Sequence, residues 1–261
     1  MNEFPPSEMA PLPRMLAAQT LGQLAGIWRL PAYSVSGLLL PVVFFAFVGL
    51  AFGRNRIAGV EASAYALASF ATYAVSSMMV FNFGIGVSQE RALKQDLLMR
   101  ATPLPPAVHL LAKVISATLF ALLSLLILVT FAVAVGGVRV QPLGLASMVL
   151  RLLIGSLPMM GLGFAIGYGT SANSAPAVAN LIYLPLSFAS GLFMPLAILP
   201  DFIQKVATYL PTYHYAQLAW SAVGARSEPL PVSILWLVGY SVLLFALAAR
   251  LYRREEAIKF A

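Results

Sequence analysis

A charged stretch, QERALKQDLLMRATPLPPAVHLLAK at residues 89–113, stands between two long apolar runs and constrains the fold more than any other feature. Arg, Lys or Asp at the centre of a bilayer costs about 2.5–3.5 kcal/mol each. The stretch therefore belongs at a membrane face, and the runs on either side belong in hydrocarbon. Its first half reads as a short polar helix over about 89–101, with Leu93, Leu97 and Ala101 as a narrow apolar stripe among Arg91, Lys94, Gln95, Asp96 and Arg100. Pro103, Pro105 and Pro106 then end that helix. Such a handle either is an ordinary solvated loop or offers a soluble partner something to grip.

The rest of the composition agrees with a membrane setting. The chain of 261 residues is 60% hydrophobic and 10% charged, where soluble domains carry roughly 25% charged residues. One bundle domain is expected at this length. There is no cysteine, which excludes disulfides and thiolate metal sites. The net charge of +7 could attract nucleic acid. The basic residues, however, gather at the ends of apolar runs, as topology signals and anionic headgroups require, so no nucleic-acid partner is expected. Glu3, Glu8 and Pro5, Pro6, Pro11 and Pro13 leave no early apolar core for a cleavable signal peptide.

Six spans are predicted, at about 32–53, 62–87, 114–136, 143–168, 176–199 and 232–251, each near the roughly 20 residues needed to cross the hydrocarbon. Pro185 and Pro195 predict a kink or break in the fifth. Residues 1–31 form a tail and connecting helix, and 252–261 a basic tail. Arg14, Arg29, Arg91, Lys94, Arg100, Lys113, Arg250, Arg253, Arg254 and Lys259 would lie on one face, and Arg54, Arg56, Arg139, Lys205 and Arg226 on the other. That imbalance places both termini in the cytoplasm.

Before the first span, Leu12, Leu16, Leu24, Ile27 and Trp28 fall near one helical face, with Arg14, Gln19 and Gln23 mostly elsewhere. A helix lying in the headgroup plane suits this pattern; a plain lead-in to the first span is the alternative. The segment 200–231 carries Tyr209, Tyr213, Tyr215 and Trp220. It is too polar to span and too apolar to float free, so short re-entrant or interfacial helices are expected there. The fold class is thus an all-α membrane protein of six transmembrane helices with an N-terminal interfacial helix.

Chemistry on this chain has few places to occur. No G-x-x-x-x-G-K-[ST] phosphate cradle is present, and His109 and His214, the two histidines, fall on opposite faces. The predicted spans contain no His, Asp or Glu to activate a nucleophile. Catalytic, metal and cofactor sites are therefore not expected. Arg151 lies well inside the fourth span, either as a functional intramembrane charge or as a side chain that snorkels to the headgroups. Gly163 with Gly167, and Ser187 with Gly191, have the four-residue spacing that lets helices approach closely.

The handle resembles the signature region of ABC type-2 transporter permeases. Glu90 and Arg91 match its opening, Leu98 and Met99 its leucine stretch, Ala101-Thr102-Pro103 its close, and Lys113 its later basic residue. Lys94 and Gln95 stand where that family usually has Gly-Thr. A second stretch, SGLFMPLAILPDFIQKVATYLPTYHYAQLAW, resembles the family's second signature through Gly191, Pro195, Leu199-Pro200, Leu210-Pro211 and Tyr215. The resemblance implies the membrane subunit of an ATP-driven exporter in the cell membrane. It would pair with a second permease chain and with two ATPase subunits that bind ATP and Mg. Glu90, Arg91, Leu93, Lys94, Leu97 and Arg100 would then form the ATPase contact. An ion-coupled transporter or channel, and a non-transporting scaffold protein, are the alternatives; the spans hold no acidic residue for ion coupling.

Overall fold

The computed structural model describes residues 11–29, 31–52, 55–95 and 104–259. They form α1 (Leu12–Trp28), α2 (Pro31–Phe52), α3 (Ala62–Ala92), α4 (Pro106–Ala134), α5 (Pro142–Gly155), α6 (Leu157–Gly169), α7 (Ala175–Ala189), α8 (Asp201–Ala207), α9 (Pro211–Ala222) and α10 (Leu230–Lys259). Proline sits in the first turn of α1, α4, α5, α6, α7 and α9. There its fixed φ suits the helix and its missing N–H costs nothing. Between α2 and α3 the chain makes a two-stranded hairpin, Arg56–Ile57 with Val60–Glu61. Its turn residues Ala58 and Gly59 have φ of 49° and 90°, the twist a two-residue hairpin demands. The sequence reading did not anticipate this hairpin.

Among the described residues five helical stretches are long and apolar enough to cross a membrane: Ser34–Ala51, Ala62–Ala92, Pro106–Ala134, Pro142–Gly169 and Leu230–Ala257. The fourth is α5 and α6 end to end. The predicted fifth span, 176–199, departs from expectation. Its helix α7 has 15 residues, about 22 Å at 1.5 Å per residue, short of the roughly 30 Å of hydrocarbon. It passes through Pro185 without ending and stops at Ala189. Gly191 follows at a φ of 81°, and only a short 3-10 turn, Leu196–Ile198, continues toward 199. Ser187 and Gly191 therefore do not share a helix face. Ser187 bonds back to the Tyr183 carbonyl, and Gly191 supplies the left-handed turn.

α3 is the axle of the bundle. Its residues from Ala62 to Val80 are all buried, and it packs against α2, α4, α6, α7 and α9. A helix apolar or small all round is what a central position requires. The contact with α6 depends on the other predicted small-residue pair. A Cβ on Gly163 would stand 2.8 Å from the Met79 carbonyl and 2.9 Å from that of Val80. One on Gly167 would stand 2.8 Å from the Phe83 carbonyl. Only glycine permits this approach. By contrast, Leu235, Val238, Val242 and Leu243 on α10 and Leu181 on α7 lie exposed, as lipid-facing side chains must.

α1 lies against α4, and Trp28 meets Phe120 edge to face with ring centroids 5.6 Å apart. The face it turns inward is Leu16, Gln19, Thr20, Gln23, Leu24 and Ile27, while Leu12, Leu21 and Trp28 are exposed. Gln19 and Gln23 thus join the packed face instead of standing off it, for a reason given below. The segment 200–231 forms two short helices, α8 and α9, and the start of α10. Every residue from Pro211 to Trp220 is buried. Trp220 donates to Ser69 Oγ at 2.9 Å and stacks on Tyr65; the Tyr215 hydroxyl donates to the Leu152 carbonyl at 2.6 Å. Tyr209, in contrast, is exposed and lies beside Trp236.

Candidate functional site

The last turn of α3 carries Glu90 and Arg91 side by side. Consecutive helix residues point about 100° apart, so the two side chains leave α3 in different directions and grip different helices.

Glu90 reaches α4 and α1. Its Oε2 lies 2.5 Å from the Lys113 Nζ and 3.5 Å from the His109 Nε2. Its Oε1 accepts from Gln23 Nε2 at 3.3 Å. Gln19 Nε2 stands 2.8 Å from His109 Nδ1. With Gln19 donating there, the ring proton falls on Nε2, facing the carboxylate. The Lys113 side chain is 1% exposed and that of Glu90 20%. A lysine this buried needs an anion beside it, because an unpaired ammonium shed of water is costly. His109 and Lys113 are four apart on α4, and Gln19 and Gln23 four apart on α1, so each pair shares one helix face. That spacing is why the two glutamines turn toward the bundle.

Arg91 reaches α6 and α10. Its guanidinium donates to the Gly167 carbonyl at 2.5 Å and to the Thr170 carbonyl at 3.0 Å, at the C-terminal end of α6. Free carbonyls at a helix end attract cations. Its Nε lies 2.5 Å from Glu255 Oε2 on α10, and its guanidinium carbon sits 5.9 Å from the centre of the Tyr168 ring. The glycine contact between α3 and α6 brings Gly167 within reach of this arginine. One helical turn therefore ties α1, α3, α4, α6 and α10 at one end of the bundle. α1 and the last turns of α10 are both held at this end, each through α3.

The predicted helix of about 89–101 is placed differently. Residues 89–92 complete α3, and the chain breaks direction at Leu93 and Lys94. Lys94 has a φ of 52°, uncommon for a residue with a Cβ. Leu93 is 65% exposed and Lys94 is exposed. Leu97 and Arg100 lie outside the described residues. The structure thus separates the predicted contact set. Glu90 and Arg91 are committed to the chain's own helices, and Leu93 and Lys94 face outward. Lys113, expected among the surface charges that orient the chain, is buried. Arg151 is half-buried and donates to Ser221 Oγ on α9 at 2.9 Å. Sequence alone did not bring Gln19, Gln23, His109, Gly167 or Glu255 to this site. The two four-residue polar pairs beside apolar runs were the signal available.

A family model described as ABC-2 family transporter protein matches residues 55–250, which covers every helix from α3 to α9 and most of α10. The chain belongs to the ABC-2 transporter family. Along its length it is also 27% identical, over 244 residues, to the protein named "Putative transport permease YvfS" of Bacillus subtilis strain 168; the match spans 94% of this chain and 99% of that one. The chain is therefore a multi-pass membrane protein of the transport permease type.

Proposed function

We propose that this permease is the membrane subunit of an ABC exporter, driven by ATP that separate ATPase subunits bind with Mg and hydrolyse. Two permease chains and two ATPase chains make the working unit. The bundle end that holds α1 and the end of α10 faces the cytoplasm of a cell membrane, so both termini are cytoplasmic. Leu93, Lys94, Leu97 and Arg100 make the ATPase contact, and Glu90 and Arg91 carry its displacement into the bundle.

The observation that carries this reading is the junction at the end of α3. Leu93 and Lys94, both exposed, continue directly from the central helix, and that helix end is ion-paired to α4 and α10 and bonded to α1 and α6. A pull on residues 93–103 is therefore a pull on five helices. The absence of a nucleotide motif in the sequence supports an energy source on another chain. The alternative of ion coupling lacks acidic residues in the middle of the spans.

The test uses a tagged chain in its own membranes. Purified with its partners, it is expected to carry Mg-ATP hydrolysis, and ATP is expected to drive substrate out of the cytoplasmic side of vesicles. Leu97→Asp buries a charge in the contact, which costs several kcal/mol unless it finds a partner. It is expected to remain in the membrane, lose the ATPase and stop transport. Normal hydrolysis and transport with Leu97→Asp would place the contact elsewhere.

A further inference from the structure

At the bundle end opposite the α3 junction, the imidazole of His214 on α9 lies between two acceptors. Its Nε2 is 2.9 Å from the Thr208 backbone carbonyl, which can only accept. Its Nδ1 is 3.6 Å from Glu228 Oε2. Both Nδ1 and Oε2 are buried and have no hydrogen-bond partner among the described residues. A neutral imidazole has one N–H. With that proton on Nε2, the Thr208 contact is a hydrogen bond, and a lone pair on Nδ1 faces a carboxylate. With the proton on Nδ1, the carbonyl contact is lost instead. One more proton, on Nδ1 or on Oε2, removes the repulsion between lone pair and carboxylate and lets the two atoms close from 3.6 Å to a hydrogen bond.

The surroundings hold the pair in place. Glu228 is anchored at its other oxygen by the Tyr213 hydroxyl, which donates to Oε1 at 3.0 Å, and its backbone N–H donates to Gln217 Oε1 at 3.0 Å. Burial and the neighbouring Glu228 push the Tyr213 hydroxyl up to about 12, so it stays a donor. From α10 comes Trp236, stacked on the imidazole with ring centroids 5.1 Å apart and planes 9° from parallel. An aromatic face favours a cation. Tyr240 on α10 is engaged with the Tyr209 carbonyl, and Tyr213 meets the imidazole edge to face with ring centroids 5.3 Å apart. Arg226 in the same loop is fastened through its backbone N–H to the Ala58 carbonyl of the β-hairpin at 2.7 Å. Glu228 is the charge that acts on the ring. The His214 side chain is 1% exposed and that of Glu228 30%, so Glu228 is the member of the pair nearer to water.

We propose that His214 and Glu228 together form a one-proton binding site that fastens the loop ahead of α10, residues 223–229, to the buried helix α9 when the site fills. The sign follows from what moves. Burial holds the ring below the ordinary histidine value, with the Thr208 carbonyl and Glu228 pulling the other way. Packing against α9 and Trp236 persists if the Glu228 side chain swings outward, but the upward pull of Glu228 is then lost. Proton affinity is higher with Glu228 engaged, so acid favours engagement. The site would bind a proton from the compartment on that side of the membrane and stiffen the α8–α9 hairpin against the last helix.

Histidine-labelled full-length protein in liposomes tests this by nitrogen NMR between pH 8 and 4.5. The two histidine signals are told apart by the one lost in His214→Gln. The expected wild-type His214 is a neutral Nε2–H tautomer at pH 8 that takes up a proton in the acidic range. Glu228→Gln is expected to weaken proton binding about tenfold. Tyr213→Phe, which leaves the carboxylate less neutralised, is expected to strengthen it about threefold. A spin label at Ser227→Cys, in a chain that has no other cysteine, is expected to lose mobility on acidification in the wild-type background and not with Glu228→Gln. A ring that stays neutral to pH 4.5, titration unaffected by both Glu228→Gln and Tyr213→Phe, or a label indifferent to pH would each overturn the proposal. None of these outcomes depends on the ATPase contact.

Discussion

Lys113 and Glu90 share one ion pair but differ in access to water, and that difference predicts unequal costs of removal. Glu90→Ala strands an ammonium that is 1% exposed, with no second anion among its partners, and frees Gln23 and His109 at the same time. Breaking a buried pair from one side costs about 3–5 kcal/mol. The opening beside Glu90 argues for the lower figure, about 3 kcal/mol. Lys113→Met leaves behind a carboxylate that is 20% exposed and keeps Gln23 and His109 as partners. Its cost should be about 1–2 kcal/mol, in the range of one lost charged hydrogen bond. Glu90→Gln combined with Lys113→Met removes both charges, keeps a hydrogen-bonding side chain for Gln23, and should cost less than Glu90→Ala alone. Equilibrium unfolding in mixed micelles, followed by the fluorescence of Trp28, Trp220 and Trp236, measures all three. Trp28 packs on α4 through Phe120 and so reports on α1 release directly. Lys113→Met costing as much as Glu90→Ala, or Glu90→Ala costing under about 1 kcal/mol, would refute the assignment of Lys113 as a buried cation held by Glu90.

Gly163→Leu should prevent proper assembly, since its Cβ alone would meet two backbone carbonyls of α3 below 3 Å; the yield of folded protein by size-exclusion chromatography checks this, against Gly239→Leu, where a Cβ meets nothing within 4 Å. A double-mutant cycle on Arg91 and Glu255 should give a coupling of about 0.5–3 kcal/mol, measured by the same unfolding assay, with Arg91→Ala the costlier single change because it also loses two carbonyl contacts on α6. Gln19→Ala with Gln23→Ala should cost only about 1–3 kcal/mol together but release α1 from the bundle, seen as faster labelling of a cysteine placed at Thr20, a buried position.

The all-α membrane class was legible because membrane-spanning runs need length and apolarity, and α2, α3, α4 and α10 have both; the six predicted spans meet five stretches of that length among the described residues. α7 was read as too long because residues 190–199 are nearly as apolar as the helix. What ends it is the turn at Gly191, held by the Ser190 and Thr212 hydroxyls, and hydropathy does not register a turn. Gly163 and Gly167 were legible as a close-contact pair because small residues four apart leave one helix face bare. Ser187 and Gly191 share that spacing with a different outcome, since Gly191 falls outside the helix. The site was half legible. Glu90 and Arg91 stood out as charges between apolar runs, but their partners lie 23 residues away at Lys113 and 164 away at Glu255. A lysine's burial depends on three helices meeting, and no local pattern announces it.

Glu90 and Arg91 together also restrict how α3 can move. A rod fastened at one point of its circumference can roll; one fastened at two points about 100° apart cannot roll without tearing a fastening. The end of α3 is therefore fixed in azimuth by Lys113 on one side and Glu255 on the other. On the proposed coupling, force arriving through Leu93 and Lys94 would have no rotational outlet there. It would displace α1, α4, α6 and α10 with α3 as a single block, and any twisting would be taken up toward the far end of the bundle, where α3 meets the two-stranded hairpin and the short helix α9.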